Sequence, residues 1–401
     1  MKVLGLIGVV FTLLFIYGLF SKKLSSLSIS GPMIFTLFGL FLHPFITIPE
    51  LHMVNGDLEL VGKIALIVIL FNDANTIPLT NFFKIYTFPV RLLFVGLPLT
   101  MLIGSLIAIY MFPTVPILLL ILMAIILSPT DAALGQAVVK SKKIPLVIRE
   151  TINVESGLND GLALPPILIC IVLFSGEVEN YNNLHIWSYV SKQLLIAPVI
   201  GVVIGAFGST LINWADSKKY ATSLFQGIGI GALSIISFVA AEHMGGNGYI
   251  AAFTSGLTFK AQNKKLLQLG EEYGEFLSQP LSLFVFFIFG LSVIPKHFKY
   301  INSQVLIYSI LSLTLIRVIP VIISLIGTKT NLKSKLFIAW FGPRGIASIL
   351  YLLMSGQMLP KSIETQPIFS TIVLTVFLSI FFHGITAVPY SNWLVKTSNK
   401  K

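Results

Sequence analysis

The chain has 401 residues, of which 55% are hydrophobic and only 11% are charged, and its mean hydropathy is +0.90. In soluble domains about a quarter of all residues are charged. This composition therefore excludes an ordinary soluble protein and predicts a polytopic membrane protein. The net charge of +11 does not indicate nucleic-acid binding, because the basic residues are scattered through loops. The one cysteine, Cys170, excludes an internal disulfide and a cysteine metal cluster.

Apolar runs of about 20 residues, the length that a bilayer requires of a helix, recur along the chain. They predict an all-α polytopic protein with about thirteen transmembrane helices. We expect one transporter domain over 1–401 without a soluble domain: a first half over about 1–175, a linking helix over about 187–213 and a second half over about 222–395. The predicted spans lie near 3–20, 27–46, 61–80, 90–112, 115–139, 150–174, 187–213, 222–241, 247–259, 276–294, 302–327, 335–358 and 367–393.

Loop charges predict the orientation of these spans. Of the 27 Lys and Arg residues, Arg317 and Arg344 lie inside spans, and the remaining 25 divide 19 to 6 between the two sides. The positive-inside rule then places the N-terminus outside and the C-terminus in the cytoplasm. We expect the protein in the cell (inner) membrane. An odd number of spans is required for this split.

The segment 154–165 opens the sixth predicted span with polar residues. Helical spacing places Ser156 and Asp160 on one face and Glu155 and Asn159 on another. An ionisable group within a membrane span costs several kcal/mol, so an intramembrane acid is a candidate functional residue. The oxygens of Ser156 and Asp160 suit a hard cation, whereas Glu155 and Asn159 are available for structural partners.

Two other spans are interrupted by proline beside a charge. Ser-Pro-Thr-Asp at 128–131 interrupts the fifth span, and Phe-Gly-Pro-Arg-Gly at 341–345 interrupts the twelfth. Two broken helices at matching positions of two halves are typical of inverted-repeat transporters with a midplane site. Asp131 either neutralises the positive ends of the half-helices or coordinates an ion directly, and Arg344 is suited to the negative ends.

The balance of intramembrane charge is negative. Arg317 lies well inside its run, which favours an ion pair over snorkelling to an interface. Four acids less two arginines leave an excess of two negative charges, which protons or a bound cation can neutralise. The charges are those of Asp73, Asp131, Glu155 and Asp160 against Arg317 and Arg344.

Other polar features are weaker. Glu242 and His243 precede a glycine-rich segment and are interpreted as a solvated loop rather than a pH sensor, and the lone His383 in the last span as a packing residue. The sequence has no phosphate loop, nucleophile triad or HExxH motif. We therefore expect neither an enzyme nor a cofactor.

Three motifs resemble the signatures of the monovalent cation/proton antiporter superfamily. They are Ser-Pro-Thr-Asp at 128–131, Glu-Ser-Gly-Leu-Asn-Asp-Gly at 155–161 and Gly-Pro-Arg-Gly at 342–345. The pair Asn159-Asp160 resembles the electroneutral NhaP-type branch, which includes Na⁺/H⁺ exchangers. The resemblance implies an NhaA/NhaP-like antiporter fold with thirteen spans, two broken crossing helices, a dimerisation part and a mobile core, assembled as a homodimer in the lipid bilayer.

The resemblance also implies roles for single residues. Asp160 would be the shared site for Na⁺ and H⁺, with Thr130 and Ser156 as oxygen ligands and Asp73 where some relatives have a further ligand. Glu155 would form an ion pair with Arg317, although the sequence alone leaves Arg344 as another partner. Two departures, Ala132 in place of a common proline and Pro343 within the arginine motif, affect the expected geometry of the breaks.

The resulting prediction is a secondary active antiporter that exchanges Na⁺ or Li⁺ for H⁺ with 1:1 stoichiometry. A K⁺/H⁺ antiporter is the alternative, and a gated cation channel using the same acids is a further one. A sodium-coupled symporter for an organic anion is disfavoured, because the intramembrane charges lack free cationic groups.

Overall fold

A computed structural model describes residues 3–45, 48–77, 87–131, 134, 144–174, 183–259, 264–328, 330–359 and 365–398. Every regular element in these residues is helical. The elements are α1 (Val3–Ser26), α2 (Gly31–Leu42), α3 (Ile48–Asn75), α4 (Thr87–Arg91), α5 (Leu97–Met111), α6 (Ile117–Ile126), α7 (Leu146–Phe174), α8 (Asn183–Ser217), α9 (Ser223–His243), α10 (Gly248–Thr258), α11 (Lys264–Ile288), α12 (Ile294–Phe298), α13 (Ser303–Leu313), α14 (Leu315–Ser324), α15 (Leu332–Trp340), α16 (Ile346–Met358) and α17 (Gln366–Ser398).

Short π-helical segments join two pairs of these helices. Leu92–Gly96 connects α4 to α5, and Phe289–Val293 connects α11 to α12. Eight helices of the described residues, counted across these joints and the bend between α13 and α14, are long and apolar enough to cross a membrane. The all-helical membrane fold is confirmed, and each predicted span overlaps a helix or a broken pair, while the number thirteen stays a prediction.

The boundaries of several predicted spans differ from those of the helices, and the third and the fifth are examples. The third span was expected near 61–80, but α3 begins at Ile48 and ends at Asn75. The fifth was expected near 115–139, but α6 ends at Ile126, before the proline. Hydropathy does not mark either end, because polar residues continue α3 while apolar residues lie near the break after α6.

The chain divides into two compact units, and the division falls within α3, α7 and α11. The first unit comprises Met1–Gly56, Leu79–Asn159 and Leu283–Lys401. The second comprises Asp57–Pro78 and Asp160–Ser282. The expected arrangement as two halves and a linking helix stays a prediction.

In the first unit, α2 crosses the π-helical segment Phe289–Val293 with backbone in contact. A Cβ atom at Gly39 would overlap the carbonyl oxygen of Phe287, and one at Gly290 would overlap the carbonyl oxygen of Thr36. Past the end of α2, Nδ1 of His43 lies 2.9 Å from the carbonyl oxygen of Leu291. Glycine allows the close approach, and the histidine pairs a carbonyl of the π-helical segment.

In the second unit, α8, α9 and α10 pack together. Gly201 and Gly205 of α8 lie against the backbone of α10, where a Cβ atom would overlap carbonyl oxygens. Glu242, at the end of α9, accepts a hydrogen bond from the backbone N–H of Gly248 (2.8 Å) at the start of α10. The sequence interpretation placed Glu242 in a solvated loop. The residue is exposed, but it lies at the end of α9 and its carboxylate caps the next helix.

We expect Gly39→Ala to lower the melting temperature of the purified protein in detergent. The added methyl group must displace the backbone of the α2 crossing, and overpacking of this kind costs about 1–3 kcal/mol. Gly8→Ala in α1 is the control, because a Cβ atom there meets nothing within 4 Å. Equal melting temperatures for the two variants would show that the close crossing is absent.

Candidate cation site

The first break follows α6. Its last carbonyl groups are paired by hydroxyls: Ser128 donates to the carbonyl oxygen of Ala124 (2.6 Å), and Ser348 of α16 donates to that of Ile126 (2.8 Å). Ser128 and Thr130 are 0% and 3% exposed. Since buried backbone groups in a membrane protein must be paired, these bonds stabilise the interruption.

The second break separates α15 from α16, and Asp131 joins it to the first. The backbone N–H of Asp131 donates to the carbonyl oxygen of Pro343 (2.8 Å), and its Oδ2 accepts from the N–H of Ile346 (2.8 Å). Gly345 leaves room for the carboxylate, which a Cβ atom would overlap. Asp131 therefore lies at the positive end of α16, one of the two roles that the sequence allows. Direct ion coordination by Asp131 stays a prediction.

Thr130 is the centre of an oxygen-rich group. The Ser156 hydroxyl donates to the backbone carbonyl of Thr130 (2.5 Å), and the Asn159 amide donates to the Thr130 hydroxyl (2.8 Å). All three residues are buried. The group contains three oxygens, the Thr130 carbonyl and hydroxyl and the Ser156 hydroxyl, and the Asn159 amide N–H bonds to one of them. Carbonyl and hydroxyl oxygens are the ligands that hard monovalent cations prefer.

The predicted faces of α7 divide differently in the structure. Helical spacing groups Asn159 with Glu155, but Asn159 reaches Thr130 together with Ser156. Positions 155, 156 and 159 lie within about 100° of the helix circumference, so the tertiary neighbours decide which of them act together.

Asp160 and Asp73 belong to the second unit. Asp160 follows Asn159 on α7 and is 5% exposed. Asp73 is half-buried near the end of α3, and its backbone carbonyl accepts a hydrogen bond from the Thr76 hydroxyl (3.0 Å). The structure thus brings Thr130, Ser156 and Asn159 together in the first unit, with Asp160 as the next residue of the same helix.

A buried ion pair holds α7 to α14. Arg317 Nη1 lies 2.6 Å from Glu155 Oε1, and Nη2 donates to Oε2 at 2.8 Å. Both side chains are 2% exposed. The two nitrogens Nη1 and Nη2 thus bind the two carboxylate oxygens in parallel, as a bidentate charge-assisted pair. Of the two arginines that the sequence leaves as partners for Glu155, Arg317 makes this bidentate contact.

Arg344 lies in the second break and is fully buried. Its Nη1 donates to the carbonyl oxygen of Gly342 (2.6 Å), and its backbone N–H donates to the Ser379 hydroxyl (2.7 Å). Its guanidinium thus pairs a carbonyl just past the negative end of α15, as the sequence predicts for an arginine beside a broken helix.

Sequence reasoning missed Ser348 and Ser379 near the second break, and it interpreted His383 only as a packing residue. Serine in a membrane helix usually bonds to a carbonyl of its own helix, so nothing in the sequence distinguishes Ser348 or Ser379. For His383 the sequence predicts packing, whereas both of its ring nitrogens lie within hydrogen-bond distance of polar atoms. The spacing of Ser379 and His383 on one helical face was the available signal.

We expect Arg317→Ala to lower the melting temperature sharply. Breaking a buried ion pair leaves Glu155 with an uncompensated charge, at a cost of about 3–5 kcal/mol. Adding Glu155→Gln should restore part of the loss. A thermal-unfolding series of the two single variants and the double variant measures the coupling.

The control is Arg91→Ala. Arg91 is half-buried and donates to the carbonyl oxygen of Ile326 (2.6 Å). Its removal should lower stability much less than that of Arg317. Strictly additive effects of the Glu155 and Arg317 changes would exclude an interaction between the two residues.

The chain is similar to known transporters over almost its whole length. The family model described as "Sodium/hydrogen exchanger, transmembrane" matches residues 9–393. A K⁺/H⁺ antiporter NhaP of Alkalimonas amylolytica is 27% identical over 84% of this chain and 57% of its own length. A Na⁺/H⁺ antiporter of Schizosaccharomyces pombe is 25% identical over 69% and 65%. The chain therefore spans between half and two thirds of these two relatives.

Two matches from Methanocaldococcus jannaschii cover a larger share of both chains. The Na⁺/H⁺ antiporter 1 of Methanocaldococcus jannaschii is 24% identical over 98% of this chain and 96% of its own length. The structure of the sodium proton antiporter MjNhaP1 from that organism superposes with a TM-score of 0.78, at 22% identity, covering 100% of this chain and 99% of the other. The fold is therefore that of MjNhaP1, and the match of the family model shows that this multi-pass membrane protein belongs to the sodium/hydrogen exchanger family.

Proposed function

We propose that the protein is a secondary antiporter that exchanges Na⁺ or Li⁺ for H⁺ at Asp160. The observation that carries the proposal is the buried group formed by the Thr130 carbonyl and hydroxyl, the Ser156 hydroxyl and the Asn159 amide. Ser156 and Asn159 lie just before Asp160 on α7. A broken helix supplies the backbone carbonyl, and the family is one of exchangers. Thr130, Ser156 and Asp73 would supply further oxygen ligands for the ion.

The chemistry follows from one buried carboxylate. A proton and a cation neutralise the same negative charge of Asp160, so they bind in mutual exclusion. The Ser156 hydroxyl now donates to the Thr130 carbonyl. A cation that is coordinated by both oxygens must replace this hydrogen bond, while the Asn159 amide continues to orient the Thr130 side chain. Alternating access then carries a neutral load in each direction.

Glu155, Arg317, Arg344 and Asp131 support the site in this proposal. Their charges are engaged in an ion pair and at the ends of half-helices, where they stabilise the broken geometry. Removing them should therefore lower stability, whereas removing the charge of Asp160 should remove exchange.

A K⁺/H⁺ antiporter is the second candidate. The A. amylolytica relative, which is 27% identical, is named a K⁺/H⁺ antiporter. The ligands proposed here are all oxygens, and they would accept either ion, so the same assay must compare the two.

The remaining parts of the proposal concern assembly and orientation. We propose a homodimer in the cell (inner) membrane with the C-terminus in the cytoplasm, on the basis of the family resemblance and the loop charges.

Two measurements test these parts. Cysteines introduced at positions 142 and 178 in a Cys170→Ala background should be labelled from opposite sides of the membrane. The mass of the purified protein in detergent should be that of two chains.

We expect Asp160→Asn to abolish exchange without loss of folding. The measurement is dequenching of a pH dye in everted membrane vesicles after addition of Na⁺, Li⁺ or K⁺ in turn. The melting temperature of the variant should equal or exceed that of the wild type. The intramembrane charges are negative in excess, and the substitution removes one negative charge that the other acids repel. Asp216→Asn is the control, since Asp216 accepts from the Gln226 amide (2.9 Å) near the end of α8 and should leave exchange unchanged.

Three outcomes would contradict the proposal. Exchange by Asp160→Asn would place the carrier at another acid, with Asp73 or Asp131 next to be tested. A response to K⁺ and none to Na⁺ or Li⁺ would establish the second candidate. Cation flux that follows voltage and moves no protons would indicate a channel.

We expect exchange to be independent of membrane potential. Asn159 is neutral, so Asp160 is the single titrating carrier of the proposal, and one H⁺ moves against one Na⁺. Rates in vesicles clamped at zero potential should equal those without a clamp. A clear acceleration by an imposed potential would reject the 1:1 stoichiometry.

A further inference from the structure

The last helix, α17, contacts both edges of the second break through His383 and Ser379. His383 Nε2 lies 2.9 Å from the carbonyl oxygen of Trp340, the last residue of α15. His383 Nδ1 lies 3.1 Å from the Ser379 hydroxyl, which accepts from the backbone N–H of Arg344 at 2.7 Å. His383 and Ser379 are 1% and 0% exposed. Two buried side chains thus pair backbone groups before and inside the interruption.

The hydrogen positions follow from the partners. The Trp340 carbonyl can only accept, so Nε2 of His383 carries a hydrogen in either charge state of the ring. The Arg344 N–H can only donate, so the Ser379 oxygen accepts and its own hydrogen is available to a neutral Nδ1. A charged ring would instead donate from Nδ1 to the Ser379 carbonyl, which is also 3.1 Å away. The bond to Trp340 is common to both states.

These bonds lead to the candidate site in two steps. His383 bonds to the carbonyl just before the segment 341–345, and Ser379 bonds to an amide within it. In the same segment, the carbonyl oxygen of Pro343 accepts a hydrogen bond from the backbone N–H of Asp131. The next amide after the segment, that of Ile346, donates to the Asp131 carboxylate. Asp131 directly follows Thr130, whose carbonyl and hydroxyl are bonded to Ser156 and Asn159. A shift of the second break would therefore move the oxygens proposed to bind the cation.

We propose that His383 and Ser379 are positioning residues for cation binding, acting through the backbone of the second break on Asp131 and Thr130. The inference rests on the proposed antiport, because the effect is on cation affinity. Packing alone is the competing explanation: the His383 and Trp340 rings lie 5.1 Å apart between centroids. An aromatic residue without hydrogen bonds would satisfy packing and not positioning.

The test compares His383→Phe, His383→Gln and Ser379→Ala in everted vesicles over a range of Na⁺ concentrations. Phenylalanine keeps the ring, whereas the amide N–H of glutamine can reach the position of Nε2. We expect His383→Phe and Ser379→Ala to raise the apparent KM for Na⁺ about tenfold, which is the effect of roughly one buried hydrogen bond. His383→Gln should stay within about twofold of the wild type.

The matched control is Ser391→Ala. Ser391 lies on the same helix, and its hydroxyl donates to the carbonyl oxygen of Ala387 (2.6 Å). It should leave KM unchanged. A lower melting temperature of His383→Phe with an unchanged KM would overturn the inference, as would equal effects of phenylalanine and glutamine. Ser379→Ala gives an independent result if His383→Phe fails to fold.

Amide hydrogen exchange of the purified protein separates this inference from the proposed function. The amide hydrogens of Arg344 and Ile346 should exchange faster in His383→Phe and Ser379→Ala than in the wild type. In the His383→Gln variant they should be protected as in the wild type. Unchanged amide hydrogen exchange in His383→Phe and Ser379→Ala would overturn the inference, even if the wild-type protein transports ions. Absence of cation-dependent proton movement in the wild type would reject the proposed antiport, and with it the role in cation affinity, whatever the amides show.

Discussion

The pairing of backbone groups at two helix breaks is the constraint on which the first unit depends. A membrane offers no water to unpaired N–H and C=O groups, so an interrupted helix persists only if other parts of the protein pair them. Here the partners are short polar side chains of neighbouring helices and the two breaks themselves. The contacts are Ser348 with Ile126, Ser156 with Thr130, Asp131 with Pro343 and Ile346, Ser379 with Arg344, and His383 with Trp340.

One of these contacts, an ion pair and one further hydrogen bond engage the intramembrane charges of Asp131, Glu155, Arg317 and Arg344 in this unit. Asp131 is at the N-terminus of α16, where a carboxylate is stabilised by backbone N–H groups and the helix dipole. Glu155 is neutralised by two bonds from Arg317, and Arg344 pairs a backbone carbonyl. These roles are structural, and they support Asp160 as the acid that changes its charge during transport in the proposed mechanism.

The Thr130 segment joins structure to proposed function. Its carbonyl and hydroxyl are both hydrogen-bonded to α7, and its next residue is bonded to the second break. A cation that took these oxygens would exchange bonds with Ser156 and, through the backbone, alter the fit of α6 against α16. Ion binding and a change of helix packing would therefore be coupled by covalent continuity over two residues.

The sequence by itself determined the membrane class, the two breaks and the set of intramembrane acids and arginines. Apolar runs and proline act locally, and a charge in a membrane span is costly enough to be conspicuous in any sequence. Only the tertiary structure decided the partners: Arg317 for Glu155 across 162 positions, Thr130 for Asn159, and Trp340 for His383. The helical period specifies the direction of a side chain around its own axis, whereas the neighbour that it meets depends on how distant helices pack.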